Sequence, residues 1–269
     1  MARPDVFFHV HVRKCGGSTF HSQILKTTFG KAFYRDSSLI DYQYTRDQVA
    51  EILENCPWLR AYSSHKITLD LPYETPASRL WAISFVRDPI ARFQSHYFYL
   101  RQHAMDWDPK AKQLSLGEYA RHVAESGELA QQSQFSQLHQ LTGYRGNEGL
   151  DRVKAFLETE QVFLAPIERY DEACLLLERL FPDSLPDCRY QAVRNRSVAD
   201  QEIDEPTREL LRAELGEPEF ELSSIADQRL SRQLLEKLPD AGQRDEALGE
   251  YRQRCLPPSR WQKFWNRMR

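Results

Sequence analysis

Six consecutive residues, Lys14, Cys15, Gly16, Gly17, Ser18 and Thr19, follow directly on an apolar run, and their types suit the holding of a phosphate-like oxyanion. Such an anion takes several donors at once. Backbone N–H groups of a glycine turn, backed by the start of a helix, supply them. Gly16 and Gly17 permit a tight turn and close approach, Ser18 and Thr19 add hydroxyls, and Lys14 adds a positive charge. The order is informative: in a Walker A loop the lysine follows the glycines and a Ser or Thr holds Mg²⁺. Here lysine precedes them, which disfavours a metal-dependent nucleotide triphosphatase. The plainer alternative for this stretch is a tight strand-to-helix turn with Lys14 in solvent.

A second constellation runs from Arg87 to Tyr97. Arg87 stands where a strand should end, Pro89 suits a first helical position, and Ser95 lies eight residues beyond Arg87. A guanidinium fork matches a phosphate, and ligands of open α/β sheets sit beyond the carboxyl ends of strands. The competing reading is a structural Arg87–Asp88 ion pair, with Arg92 as a further partner for Asp88. Among the eight histidines, His65 follows a short strand between the two constellations, so it can project into the same cleft; a capping or core role is the alternative. His9 and His11 alternate on the first strand and are read as packed, although His11 could reach the cleft. His96 and His103 are read as packing or surface residues.

Elements must bring these groups together. Val6–Val12, Leu59–Ser64, Arg79–Val86 and Val162–Leu164 read as strands. Helical character covers Phe20–Thr28, Asp47–Glu54 (with Thr45 as cap), Ile90–His103, Leu116–Ser126, Gln131–Leu141, Leu150–Glu158, Tyr170–Phe181, Pro206–Leu215, Ile225–Leu238 and Asp245–Arg254. Strands separated by helices imply βαβ units. The expected fold is α/β, a P-loop-type parallel sheet flanked by helices, with a helix-rich C-terminal half. A catalytic domain over 1–230 and a helical extension over 231–269 packed on it are expected.

Composition narrows the field. At 269 residues and 41% apolar, the chain can bury a substantial core. With 36 basic against 39 acidic residues, nucleic acid is not the expected partner. Five cysteines, an odd number without CxxC spacing, argue against a disulfide framework or a zinc site and for a reducing compartment. No apolar run approaches the ~20 residues of a spanning helix, and the first strand is too short to be a signal core; a cytoplasmic protein is expected. The basic-aromatic tail Arg260–Arg269 could dock a membrane surface or an anionic glycan, or pack as a helix on its own domain.

Taken together, the two constellations resemble the PAPS-dependent sulfotransferases (PAPS, 3′-phosphoadenosine-5′-phosphosulfate), more closely the branch with the heparan-sulfate 2-O- and 6-O-sulfotransferases and their bacterial relatives. The family's first signature, Lys-Thr/Cys-Gly-Gly-Ser/Thr-Ser/Thr after an apolar strand, is matched by Lys14 to Thr19. Its Arg-Asp-Pro signature, with Arg, Ser and an aromatic at fixed offsets, is matched by Arg87, Asp88, Pro89, Arg92, Ser95 and Tyr97. Ser136–Gly143, Val162–Leu177 and Glu219–Leu230 resemble later stretches of the same branch; the first departs from it at Ser136 and His139. The resemblance implies that Lys14, Cys15, Gly16, Gly17, Ser18, Thr19 and Phe20 bind the 5′-phosphosulfate, that Arg87 and Ser95 hold the 3′-phosphate, and that Arg194 and Arg196 lie near the nucleotide. It further implies His65 as the base and Lys14 as a stabiliser of charge on the departing oxygen. PAPS is then the donor, PAP (3′,5′-diphosphoadenosine) the product, and the acceptor a hydroxyl on a glycan or glycoconjugate, ahead of a small metabolite or peptide tyrosine. A sulfuryl group is less charged than a phosphoryl group and no carboxylate cluster has metal spacing, so no metal is expected. Two rivals remain: a nucleotide-dependent kinase of similar fold and a non-catalytic nucleotide-binding scaffold.

Overall fold

Strands that read as unbroken apolar runs need cover on both faces, which helices packed on each side of a parallel sheet provide. The computed structural model describes residues 3–36, 42–102, 108–127, 129, 132–191 and 203–256. Its five strands, β1 (Asp5–Val10), β2 (Phe33–Arg35), β3 (Ala61–Ser64), β4 (Arg79–Val86) and β5 (Val162–Pro166), form one sheet in the order β2-β3-β1-β4-β5. Every pairing is parallel. The expected α/β class, with a parallel sheet flanked by helices and a helix-rich C-terminal half, is what the chain adopts. β1 is central: the chain leaves it for the edge strand β2, returns to β3 beside it, and then crosses to β4 and β5 on the other side. The C-terminal end of β1 is therefore a topological switch point, where open α/β sheets place their ligands.

The loop after β1 leads into α1, built in three pieces: α-helical Gly17–Thr19, a π turn Phe20–Leu25 and α-helical Lys26–Phe29. Then come α2 (Arg46–Asn55), α3 (Pro89–Gln102), α4 (Leu116–Glu125), α5 (Gln137–Thr142), α6 (Gly146–Leu157), α7 (Tyr170–Leu180), α8 (Glu205–Leu215), α9 (Glu217–Lys237) and α10 (Ala241–Cys255). Thr45 and Gln48 close α2 with a capping box, as do Ser115 and Glu118 for α4. One core lies against the sheet. A second joins Ile90, Phe93 and Tyr97 of α3 to Tyr119 and Val123 of α4 and Leu211 of α8.

Several boundaries differ from expectation. β2 is an additional edge strand of three residues, too short to show a period. The helix expected over Gln131–Leu141 starts at Gln137, because Ser136 is its N-cap, its hydroxyl accepting from His139 N at 2.9 Å. α9 starts eight residues before Ile225 and runs unbroken past residue 230, so the boundary expected there falls inside a helix. Arg194, Arg196, His103 and the segment Arg260–Arg269 lie outside the described residues. The five cysteines are free thiols, and no described helix is long and apolar enough to cross a membrane.

Candidate active site at three adjacent strand ends

Lys14 follows β1, His65 follows β3 and Arg87 follows β4, and these three strands are neighbours in the sheet. Val10 is level with Ser64, and His9 with Ile83. At about 4.8 Å between strands, the three ends fall within roughly 10 Å of one another across the sheet.

In the loop, Lys14 (φ 67°) and Gly16 (φ 75°) are both left-handed. Turns that mix left- and right-handed residues gather their N–H groups into an anion-binding concavity. Lys14 holds this conformation without glycine's freedom, a strain of about 1–3 kcal/mol that clusters at functional sites. Its ammonium lies 4.2 Å from the centre of the Tyr99 ring. Burial, then the nearby Arg87 cation, pushes its pKa down to about 8. Two apolar side chains of this stretch are buried. The Cys15 thiol is buried, donates to Gln137 Oε1 at 3.4 Å, and is pushed by burial up to about 12. The Phe20 ring is fully buried, edge-on to His9 and Phe85, and its side chain belongs to the core. Lys14, Gly16 and Ser18 remain partly exposed.

At the second corner, Asp88 does not pair with Arg87. It caps α3, its Oδ1 accepting from Ala91 N at 2.8 Å. The Arg87 guanidinium has only a 4.0 Å approach to Glu168, and its buried Nε lacks a hydrogen bond. Nor does Arg92 reach Asp88. Its buried side chain donates to the carbonyls of Gln134 (2.8 Å) and Phe135, a correction that makes it structural. Ser95 is buried on α3 one turn before Tyr99, on the helix face that Lys14 covers.

Gln137 joins the two corners. Its Oε1 accepts from Arg87 N at 2.9 Å and from Cys15 Sγ, while its Nε2 donates to Arg87 O at 2.8 Å. Ser223 of α9 also donates to Arg87 O, at 3.1 Å. Glu219 of α9 in turn fixes the start of α5, accepting from Ser136 Oγ (2.6 Å), Gln137 N (3.0 Å) and Leu138 N (3.2 Å). Gln140 accepts from Arg13 N at 2.8 Å, tying α5 to the glycine loop again. The sequence offered little to mark Gln137, Gln140 or Glu219 beyond their place in segments resembling the family.

His65 Nδ1 lies 2.5 Å from His11 O. A carbonyl oxygen only accepts, so Nδ1 carries the proton and Nε2 keeps its lone pair. The ring stacks on His11 with centroids 4.1 Å apart. Burial, followed by the Arg13 cation, lowers its pKa to about 4, which keeps the ring neutral near pH 7. Arg13 and Arg35 both act on the electrostatics here, and neither has an ion-pair partner among the described residues. Next to His65 in the chain, Lys66 Nζ lies 3.5 Å from Asp36 Oδ2. His96 is buried edge-on against Phe135, its pKa driven to about 3 by burial and then by Arg92; it packs, as expected.

No family model matches the chain, and no curated protein matches it. Among solved structures, the sulfotransferase from Alicyclobacillus acidocaldarius is similar at 17% identity, over 84% of this chain and 96% of that one, with a TM-score of 0.45. A likeness that low decides nothing about chemistry. Two clefts at the opposite, N-terminal end of the strands, both lined by Arg79 and Trp81, include none of the candidate residues.

One grouping was not expected. His9, His11 and His21 come together, buried, beneath the glycine loop. The visible signal was the two-residue spacing of His9 and His11 on a strand.

Proposed function

We propose that this chain transfers a sulfuryl group from PAPS to an acceptor hydroxyl, with a carbohydrate as the preferred acceptor. One observation carries the reading: two cationic corners, the Lys14 loop and the Arg87–Ser95 turn, stand at neighbouring strand tips and are joined through Gln137. PAPS bears anionic groups at both its 5′ and 3′ ends, and the residues fit such a donor. The left-handed Lys14–Gly16 turn offers backbone donors, and the buried Arg87 Nε lacks a protein acceptor.

Lys14, Gly16 and Ser18 would hold the 5′-phosphosulfate, and Arg87 and Ser95 the 3′-phosphate. The donor supplies an activated sulfuryl group with a nucleotide leaving group. His65 accepts the acceptor's proton at Nε2, while His11 O holds Nδ1–H and fixes the ring. The Lys14 ammonium offsets charge growing on the departing oxygen. A kinase is disfavoured by the order of lysine and glycines in the loop.

Calorimetric titration separates the readings. PAP should bind more tightly than ATP with Mg²⁺. Arg87→Ala should lose about 10- to 100-fold in PAP affinity, the scale of a charge-assisted hydrogen bond, with AMP little affected. His65→Ala should bind PAP normally and lose turnover by about 10²–10⁴-fold. Preference for ATP would remove the proposal, and equal losses of PAP and AMP would make Arg87 structural.

A further inference from the structure

Residues two apart on a strand point to the same face, so His9 and His11 share one face of the sheet's central strand. His11 continues the ladder past β1, its N–H donating to Ser64 O at 3.0 Å. His21 comes from the π turn of α1, which packs over the same face; π turns are uncommon and recur at functional sites. The ring centroids are 4.9 Å apart for His9–His11, 5.4 Å for His11–His21 and 6.4 Å for His9–His21. One ring nitrogen from each lies within 4.8 Å of the other two, and all three residues are buried.

The loop is fitted to these rings. A Cβ on Gly17 would stand 2.2 Å from His11 Cδ2, 2.5 Å from His11 Nε2 and 2.7 Å from His9 Cε1, so only glycine lets the backbone lie on the imidazoles. His9 Nδ1 is hydrogen bonded to Ser63 Oγ at 2.9 Å. Such an outer partner orients a metal-ligating histidine and leaves Nε2 for an ion.

We propose that His9, His11 and His21 form a binding site for a divalent transition-metal ion, with zinc as the reference case, beneath the glycine loop. Imidazole nitrogens suit zinc, copper, nickel or iron, whereas Mg²⁺ and Ca²⁺ require oxygens that this cluster lacks. At a Zn–N distance of about 2.0–2.1 Å, tetrahedral ligand nitrogens are about 3.3 Å apart, so the rings need to close by roughly 1.5 Å at most. Three protein ligands leave a fourth position open, as in zinc sites that bind water or substrate. An ion here links β1 to α1 and clamps the Gly16–Gly17 turn between them. The site is independent of sulfuryl transfer, because binding is read without nucleotide.

The full chain is stripped with chelator and titrated with Zn²⁺ and with Co²⁺. One equivalent should bind, Co²⁺ should show a tetrahedral spectrum, and Zn²⁺ should raise the unfolding temperature. His11→Gln and His21→Gln should each weaken Zn²⁺ binding about 100-fold or more, beyond the 10- to 100-fold of lost outer partners. His122→Gln, on α4, should not. X-ray absorption of the unmutated zinc-loaded chain tests the site without relying on the folding of a variant; it should show three imidazole nitrogens. Absence of stoichiometric binding, unchanged binding in His11→Gln, or an oxygen-dominated shell each overturns the proposal.

Discussion

At the scale of a residue, Lys14 does most to set the character of the site. Its ammonium faces Arg87 beyond β4, Tyr99 and His96 on α3, and the neighbouring Cys15 thiol. Burial and the Arg87 cation disfavour its charged form, lowering its pKa to about 8. An anion placed against it favours that charged form. The sign follows directly: below pH 8 the free protein already carries the proton and anion binding takes up none, whereas above pH 8 binding must draw one from solvent. The Lys14 contribution to PAP affinity should therefore be constant below about pH 7, where only the ligand phosphates titrate, and fall above about 8. Calorimetry in buffers of different ionisation enthalpy should register proton uptake at pH 8.5 that is absent at pH 7, where Lys14 is already protonated. Uptake at neither pH would place the anion away from Lys14.

At the scale of an element, α5 is only six residues long and owes its position to its neighbours. Glu219 holds its N-terminal end, and Gln137 in its first turn bonds to both the glycine loop and the Arg87 turn. Removing that amide leaves a part-buried Arg87 N–H without its acceptor, and an unsatisfied buried group costs about 1–3 kcal/mol at most. Gln137→Ala should lower stability by about that amount in urea unfolding. It should also loosen both corners together, so PAP and AMP should lose affinity alike, unlike the selective loss expected for Arg87→Ala. A selective loss of PAP here would mean that Gln137 supports only the 3′ corner.

At the scale of the molecule, the last described helix lies on the surface and is anchored to the fold through one buried side chain. Tyr251 of α10 is fully buried, and its hydroxyl donates to Cys188 O at 2.8 Å. Arg252 pairs with Asp171 and Arg254 with Glu178 of α7, at 2.9 and 2.6 Å. Truncating a buried aromatic of this size costs about 3–5 kcal/mol. Tyr251→Ala should lose that much in a single urea transition shared by near-ultraviolet and far-ultraviolet circular dichroism. Two separated transitions would instead make α10 an independent appendage. α9 makes the same point at the site, since Glu219 and Ser223 reach residues more than 80 positions earlier in the chain.

The sequence by itself determined the α/β class, the strand β1 that ends at a glycine turn, and the Arg87–Ser95 corner. These are written in local terms: apolar runs of strand length, glycines where the chain turns, and Pro89 at a helix start. Only the tertiary structure decided that Phe20 and Cys15 face inward, that Arg92 serves the carbonyls of Gln134 and Phe135, and that Asp88 caps a helix. Side-chain direction in a turn depends on which strands and helices press on it, and no local pattern records that. His9, His11 and His21 show the division most plainly. The strand period places the first two on one face, but the third joins them only through the π turn of α1, whose packing over that face the sequence does not spell out.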